Sequence, residues 1–373
     1  MERELQIHID YKSHKTKEER IRKKTQPLTL LPYTTRMANA TATYDYDLLV
    51  LGGGSGGCST AKRAAQHGAR TAIVEGARWG GTCVNVGCVP KKIMFQAAGI
   101  YETVMHDTDH YELSIDKESV KFDWTSMKEK RDKYILRLNN IYRSGLVGAG
   151  VALLEGWASF VDAHTIIVKM NDGSTKTVTA DKIIIATGGS PMVPPGEGIV
   201  EHCITSDGFF ELTEQPEKVV VVGAGYVAVE LAGVLNALGS DTHLVVRKQK
   251  ALRDFDPAVS DFLDSEMVRQ GMTIHRNTAG VAKVELVNGK KKVTTVSGEV
   301  LENVDVVLVA PGRVPGVSGL NLASTGVELR PNNTIVVNDY QQTTVDNIAA
   351  LGDVAGQVEL TPMAIAGTYA GFW

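Results

Sequence analysis

A chain of 373 residues with 43% hydrophobic and 22% charged residues is globular in composition and too long for one core, so two or three domains are expected. A formal charge of −4 leaves no electrostatic footprint for nucleic acid, and no apolar run approaches the roughly 18 residues that span a bilayer. Four cysteines do not make a disulfide scaffold, so chemistry explains a close pair better than structural bracing.

In chain order, residues 1–43 come first. The first 36 mix nine Lys or Arg with Glu2, Glu4, Asp10, Glu18 and Glu19, which is too acidic for a transit peptide and lacks apolar periodicity, so a disordered leader is expected. Met37 is an alternative start. Tyr46 to Leu51 then reads as a buried parallel strand closed by glycines, with a helix from Ser55. Thr71 to Glu75 is a second strand ending on an acid, which completes a βαβ opening. A long amphipathic helix is expected from Asp123 to Gly148. From Val151 to Ala186 short apolar runs alternate with breaks at Asn171-Asp172-Gly173 and Thr179-Ala180-Asp181, as in a β-meander. Val219 to Val222, a glycine turn, a helix and the strand Thr242 to Val246 form a second βαβ unit. A strand-rich stretch follows from Val281 to Val309, with turns at Asn288-Gly289 and Ser297-Gly298. The predicted fold class is α/β, with two Rossmann-like units that each carry a meander. The expected division is 44–188, 189–315, a segment 316–366 returning to the first unit, and a divergent tail 367–373.

The first glycine loop has Gly52, Gly54 and Gly57 in the spacing G-x-G-x-x-G, with Ser55 and Gly56 inside it. Glycine permits the tight turn, the approach of backbone to pyrophosphate and the close packing of the helix, while a strand-end acid, here Glu75, bonds ribose hydroxyls. Because strand, helix and acid all fall in place, a dinucleotide site is preferred to a merely structural turn. Farther on, Asp353 ends another strand, where the simpler reading is a turn or helix cap.

Gly80-Gly81-Thr82-Cys83-Val84-Asn85-Val86-Gly87-Cys88-Val89-Pro90-Lys91-Lys92 is the most informative stretch. In an ideal helix two residues five apart rise by roughly 7.5 Å, beyond the reach of a disulfide, so a bridge requires a bent turn; Gly87 supplies it. Lys91, Lys92 and a helix N-terminus favour thiolate. Zinc is the rival reading, but Cys58 and Cys203 are isolated and no second ligand pair exists. No metal is expected, and Cys58 reads as a packed small hydrophobe.

This segment resembles the redox segment of the pyridine nucleotide-disulfide oxidoreductases, most of all their glutathione reductase branch. The likeness extends through Ile204-Thr205-Ser206-Asp207-Gly208-Phe209-Phe210 and covers nearly all of 44–366. The resemblance implies that Cys88 is the thiolate against a flavin, that Cys83 is the interchange thiol, and that Lys91 pairs with Glu230 near the reactive flavin edge. It also implies FAD contacts from Ser55, Glu75, Thr82, Ala158, Asp353 and Thr361, with Cys83 and Lys91 beside them. Tyr142 matches a glutathione-contacting tyrosine on the Ser55 side of the pocket, and Lys62 stands where the family has an arginine.

Gly223, Gly225 and Ala228 give a second loop, G-x-G-x-x-A. The strand after it ends in Val246-Arg247 instead of the acid typical of an NAD site, with Lys248 and Arg253 close behind. Such cations hold a 2′-phosphate, so NADPH is the expected cofactor. Ala224, Val227, Glu230 and Gly312 complete the expected contacts, and Tyr226 resembles the family's aromatic gate over the nicotinamide.

The expectation is therefore an FAD- and NADPH-dependent enzyme acting on glutathione disulfide, with a cytosolic location and a mitochondrial one as the alternative. A thioredoxin reductase-like flavoenzyme and a non-catalytic FAD-binding isoform are the competing readings. After Ala366 the likeness to the family stops, and its dimer-forming interface domain, with the His-Pro motif, is not found, so weak turnover of glutathione disulfide is expected.

Overall fold

The structure is a computed structural model and describes residues 43–369. The leader 1–42 and the last four residues of the tail lie outside the described residues. The chain opens with β1 (Tyr46–Leu51), α1 (Ser55–Gln66), β2 (Thr71–Glu75), α2 (Gly81–Val86), α3 (Cys88–Glu102) and α4 (Trp124–Gly148). It continues through β3 (Ala152–Phe160), β4 (Thr165–Met170), β5 (Thr175–Ile185), β6 (Gly189–Pro191), α5 (Ile199–His202), β7 (Ile204–Thr205) and α6 (Ser206–Glu211). Then come β8 (Lys218–Val222), α7 (Tyr226–Ala237), β9 (Asp241–Val245), α8 (Pro257–Arg269), β10 (Thr273–His275), β11 (Val281–Val287), β12 (Lys290–Thr295) and β13 (Val300–Val304). The last elements are β14 (Val306–Val309), β15 (Arg313–Pro315), β16 (Ile348–Ala350) and α9 (Thr361–Ala366).

Leu48, Leu49, Val50 and Leu51 of β1 are fully buried, as a strand covered on both faces requires. β1 pairs in parallel with β2 and β5, β2 with β3, and β5 with β16, giving the order β3-β2-β1-β5-β16 of a dinucleotide-binding half. The far halves of β3 and β5 leave this sheet and pair antiparallel with β4 as the meander. The second parallel sheet has the order β10-β9-β8-β14-β7, and its meander is the separate sheet β11-β12-β13. The fold is thus α/β with two Rossmann-like sheets. The segments that enter and leave the second sheet, β6 and β15, pair antiparallel with each other.

One expected break is absent. Thr179-Ala180-Asp181 lies inside β5, at the point where that strand exchanges β4 for β1 as its partner. The Asp45 carboxylate accepts from the Thr179 N–H at 2.8 Å and from its hydroxyl at 3.0 Å, so polar side chains that read as a turn instead anchor the segment before β1 to the strand. The unforeseen turn precedes β4, where Asp162 Oδ1 accepts from the His164 and Thr165 N–H groups at 2.8 Å each.

α3 joins the two halves. Its Met94 and Ala98 sit in the same core as Leu231 and Leu235 of α7 and Phe209 and Phe210 of α6, each large side chain contributing about 1.5–3 kcal/mol by burial. α4 adds directed bonds: Trp124 Nε1 donates to Leu212 O at 2.9 Å, Thr125 Oγ1 to Thr213 O at 2.9 Å, and buried Arg131 to Phe210 O and, at 3.2 Å, to Met94 Sδ. No described helix is long and apolar enough to cross a membrane.

Arg131→Met would strand the buried Phe210 carbonyl without its charged donor, a loss of about 2 kcal/mol. The thermal midpoint is expected to fall by roughly 4–8 °C, read by differential scanning fluorimetry; an unchanged midpoint would contradict this role.

Candidate functional site

The site begins with two glycine turns at the carboxyl ends of β1 and β8. A Cβ on Gly57 would lie 1.9 Å from Gly52 O, which explains why α1 can start so close to the strand. A Cβ on Gly54 would meet only Gly81 Cα at 3.9 Å, and one on Gly225 nothing within 4 Å. Bare backbone therefore faces open space at both helix N-termini, as a pyrophosphate cradle requires. Glu75 is fixed beside the first turn: Oε2 accepts from the Gly53 N–H and Oε1 from the Ala77 N–H, each at 2.7 Å. Burial raises its pKa, against the pull of these backbone donors. These residues fit a dinucleotide.

The cysteine segment forms two helices with Gly87 between them, at φ −146° and ψ −122°. A Cβ on Gly87 would fall 2.8 Å from Thr82 O and 3.2 Å from Cys83 Cα. Only a residue without a side chain lets the start of α3 fold back over Cys83. Cys83 and Cys88 are both free thiols and interact with each other. The hydrogen bond from Cys83, followed by Thr361 and the charge of Lys91, lowers the Cys88 pKa against the desolvation that opposes it, while Cys83 is raised by the same bond and by burial. Of the two, Cys88 is the one whose surroundings favour the thiolate. Its sulfur also lies 3.8 Å from Thr361 Oγ1. One turn along α3, Lys91 Nζ donates to Glu230 Oε1 of α7 at 2.8 Å.

A cavity of about 380 Å³ brings these parts together. Gly54, Ser55 and Gly56 line it with Thr82, Cys83, Cys88 and Lys91, and Asp353 and Thr361 close one side. The second half contributes Tyr226, Val227 and Glu230. A second cavity, of about 670 Å³, holds Gly223, Ala224, Gly225, Arg247 and Arg253. Tyr226 lines both. Seven expected residues border neither cavity. Gly52 and Gly57 shape the turn, Glu75 stands behind it, and Gly312 accepts from the Met192 N–H at 3.0 Å. Ala158 pairs with Val168 in the meander. Lys62 and Tyr142 lie together, with Nζ 5.9 Å from the ring centroid, outside the cavity lining.

The lining residues not anticipated include Arg313, Glu359 and Phe210. Arg313, on β15, donates to Gly189 O and lies 3.5 Å from Thr82 Oγ1. Burial raises the pKa of Asp353 and of Glu359, and the Arg313 charge opposes both shifts. Phe210 forms part of the wall. The sequence signal for Arg313 was its place after Gly312 on a return crossing, but only the β6–β15 pairing carries it to the redox helix.

Removing a donor from a thiolate raises its pKa. Cys83→Ala should shift the titration of Cys88 upward, and by more than Lys91→Met does, when thiolate ultraviolet absorbance is followed in the reduced chain. No upward shift in Cys83→Ala would refute the pairing. Gly225→Ala should fold normally yet lose nucleotide affinity, whereas Gly57→Ala should be defective in folding itself; circular dichroism and nucleotide titration separate the two.

Known proteins resemble this chain. The chain is 47% identical over 324 residues to a glutathione reductase of Schizosaccharomyces pombe, covering 86% of this chain and 69% of that protein. It is 43% identical over 329 residues to a glutathione reductase of Yarrowia lipolytica, covering 86% and 70%. Among solved structures, the Cu(II) complex of the HOCl-induced flavoprotein disulfide reductase RclA from Escherichia coli superposes with a TM-score of 0.78 at 26% identity, over 87% of this chain and 69% of that one. The pyridine nucleotide-disulphide oxidoreductase pattern runs through residues 46–368, and the chain belongs to that family.

Proposed function

We propose that this chain is an NADPH-dependent glutathione-disulfide reductase with FAD as its flavin, residues 44–188 and 316–366 holding FAD and 189–315 holding NADPH. The observation that carries the reading is the single cavity bordered by the first glycine loop, by both cysteines, and by Tyr226 and Glu230 from the second nucleotide-type unit. The relatives named glutathione reductase support the substrate.

When bound, the two cofactors supply electrons, as hydride from the nicotinamide and through the flavin, to the cysteine pair. The chain's own residues do the rest. Glu75, oriented by two backbone donors, is set to bond ribose hydroxyls, and Asp353 and Thr361 border the cavity. Glu230 holds the Lys91 ammonium in place, keeping a positive charge beside Cys88. In the reduced pair, the Cys83 thiol gives up its proton as its sulfur attacks one sulfur of glutathione disulfide; a mixed disulfide forms and the first glutathione leaves as the thiol, carrying that proton. Cys88 then attacks the Cys83 sulfur, forming the internal disulfide and expelling the second glutathione. The lowered pKa of Cys88 supports this order, because the thiolate is already present for the second displacement.

Arg247, Lys248 and Arg253 line the second cavity around bare Gly225, and no carboxylate ends β9. Asp254 also borders it, 3.7 Å from Arg253, but is largely solvated. This cationic set supports NADPH over NADH.

The parent chain should oxidise NADPH in the presence of glutathione disulfide, and Cys83→Ser or Cys88→Ser should stop that turnover while flavin reduction by NADPH persists. Turnover that survives either change would exclude the cysteine pair as the redox centre. Each charge-assisted bond to the 2′-phosphate is worth about 1.5–3 kcal/mol, roughly tenfold or more in affinity. Replacing Arg247 and Arg253 together by Ala should erase most of the NADPH preference in nucleotide titrations, and equal affinity for NADPH and NADH in the parent would overturn the assignment.

A further inference from the structure

We propose that Trp157 is the stacking platform for the adenine of the flavin dinucleotide, an inference that rests on the reading of the first half as the FAD site. β2 and β3 are parallel with Glu75 opposite Glu155, so Trp157 stands two residues past the partner of Glu75, beyond the carboxyl end of β2. Ligands of open parallel sheets bind at that edge. The indole lies against Gly76, the residue after Glu75: a Cβ on Gly76 would fall 2.5 Å from Trp157 Cδ2 and Cε2. Asn171 Nδ2 donates to Gly76 O at 3.3 Å, so the backbone under the ring is tethered. Trp157 is nevertheless 64% exposed. One face of the ring is seated and much of the rest is open to solvent.

Two features make this more than an exposed side chain. Glu75, its two oxygens oriented by the Gly53 and Ala77 N–H groups, sets where a ribose sits, and the base attached to that ribose must lie close to Gly76. A flat aromatic surface there suits a purine, since stacking needs only a π-face. The absence of a side chain at Gly76 is what allows the ring to lie down. The opposing reading is that Trp157 only shields the Gly76 backbone, in which case it contributes to folding and not to the cofactor.

The test uses the full chain stripped of flavin and titrated with FAD, with thermal midpoints measured on the flavin-free form. Trp157→Ala should weaken FAD binding about tenfold, the lower part of the range for a lost stacking platform, with an unchanged midpoint. Trp157→Phe should retain most of the affinity. Gly76→Ala, which displaces the ring without removing it, should weaken FAD binding as well. Equal FAD affinity in the parent and Trp157→Ala would overturn the proposal, as would a lowered midpoint with affinity intact. Should Trp157→Ala not fold, Trp157→Leu takes its place with the same two outcomes. A parent chain that binds no FAD would sink the reading of the first half itself, whereas a parent that binds FAD as tightly as Trp157→Ala sinks only the stacking role.

Discussion

The packing of α3 against α7 is the contact on which the site depends. α3 starts at Cys88 in the first half, yet Met94 and Ala98 are buried in a core built mainly by the second half. The Lys91–Glu230 pair crosses the same interface one turn from Cys88. A helix that begins in the first half and is buried in the core of the second cannot move away from α7 without opening a void there, and close-packed interiors resist such voids. The thiolate, its neighbouring cation and the acid that holds that cation are consequently set as one unit. Arg131, Trp124 and Thr125 extend the clamp along α4 onto the carbonyls of residues 210–213.

Within that frame, small residues do most of the positioning. Gly57 lets α1 approach Gly52, Gly87 lets Cys88 return to Cys83, and Gly76 lets Trp157 lie flat. These are steric permissions, and each is local. The charges act differently. Cys83 donates to Cys88, and Lys91 adds an attraction that burial opposes without outweighing. Asp353 and Glu359 share the field of a single cation, Arg313, on the strand that leaves the second sheet. The ribbon formed by β6 and β15 ties both crossings together, so Arg313 is placed by the connection between the halves and not by either half alone.

Tyr226 stands where the two cavities meet. It begins α7, directly after bare Gly225, and is 46% exposed. Burial raises its pKa, and the charge of Glu359 adds to that shift.

The sequence by itself determined the elements whose cause is local. Apolar runs and glycine turns marked β1, β2, β8 and both loops, the absence of a carboxylate after β9 marked the cationic cavity, and the five-residue cysteine spacing required the bend that Gly87 makes. Lys91 and Glu230 were paired through family resemblance, since nothing in the spacing of residues 139 apart indicates contact. Tertiary structure alone decided the continuity of β5 through Thr179-Ala180-Asp181, because a strand that changes partners needs no turn and Asp45 satisfies its polar groups from a distant part of the chain. It also decided the places of Arg313, Arg131 and Trp157. Each is a single residue whose neighbours are remote in sequence, and periodicity reports only what a residue shares with those beside it.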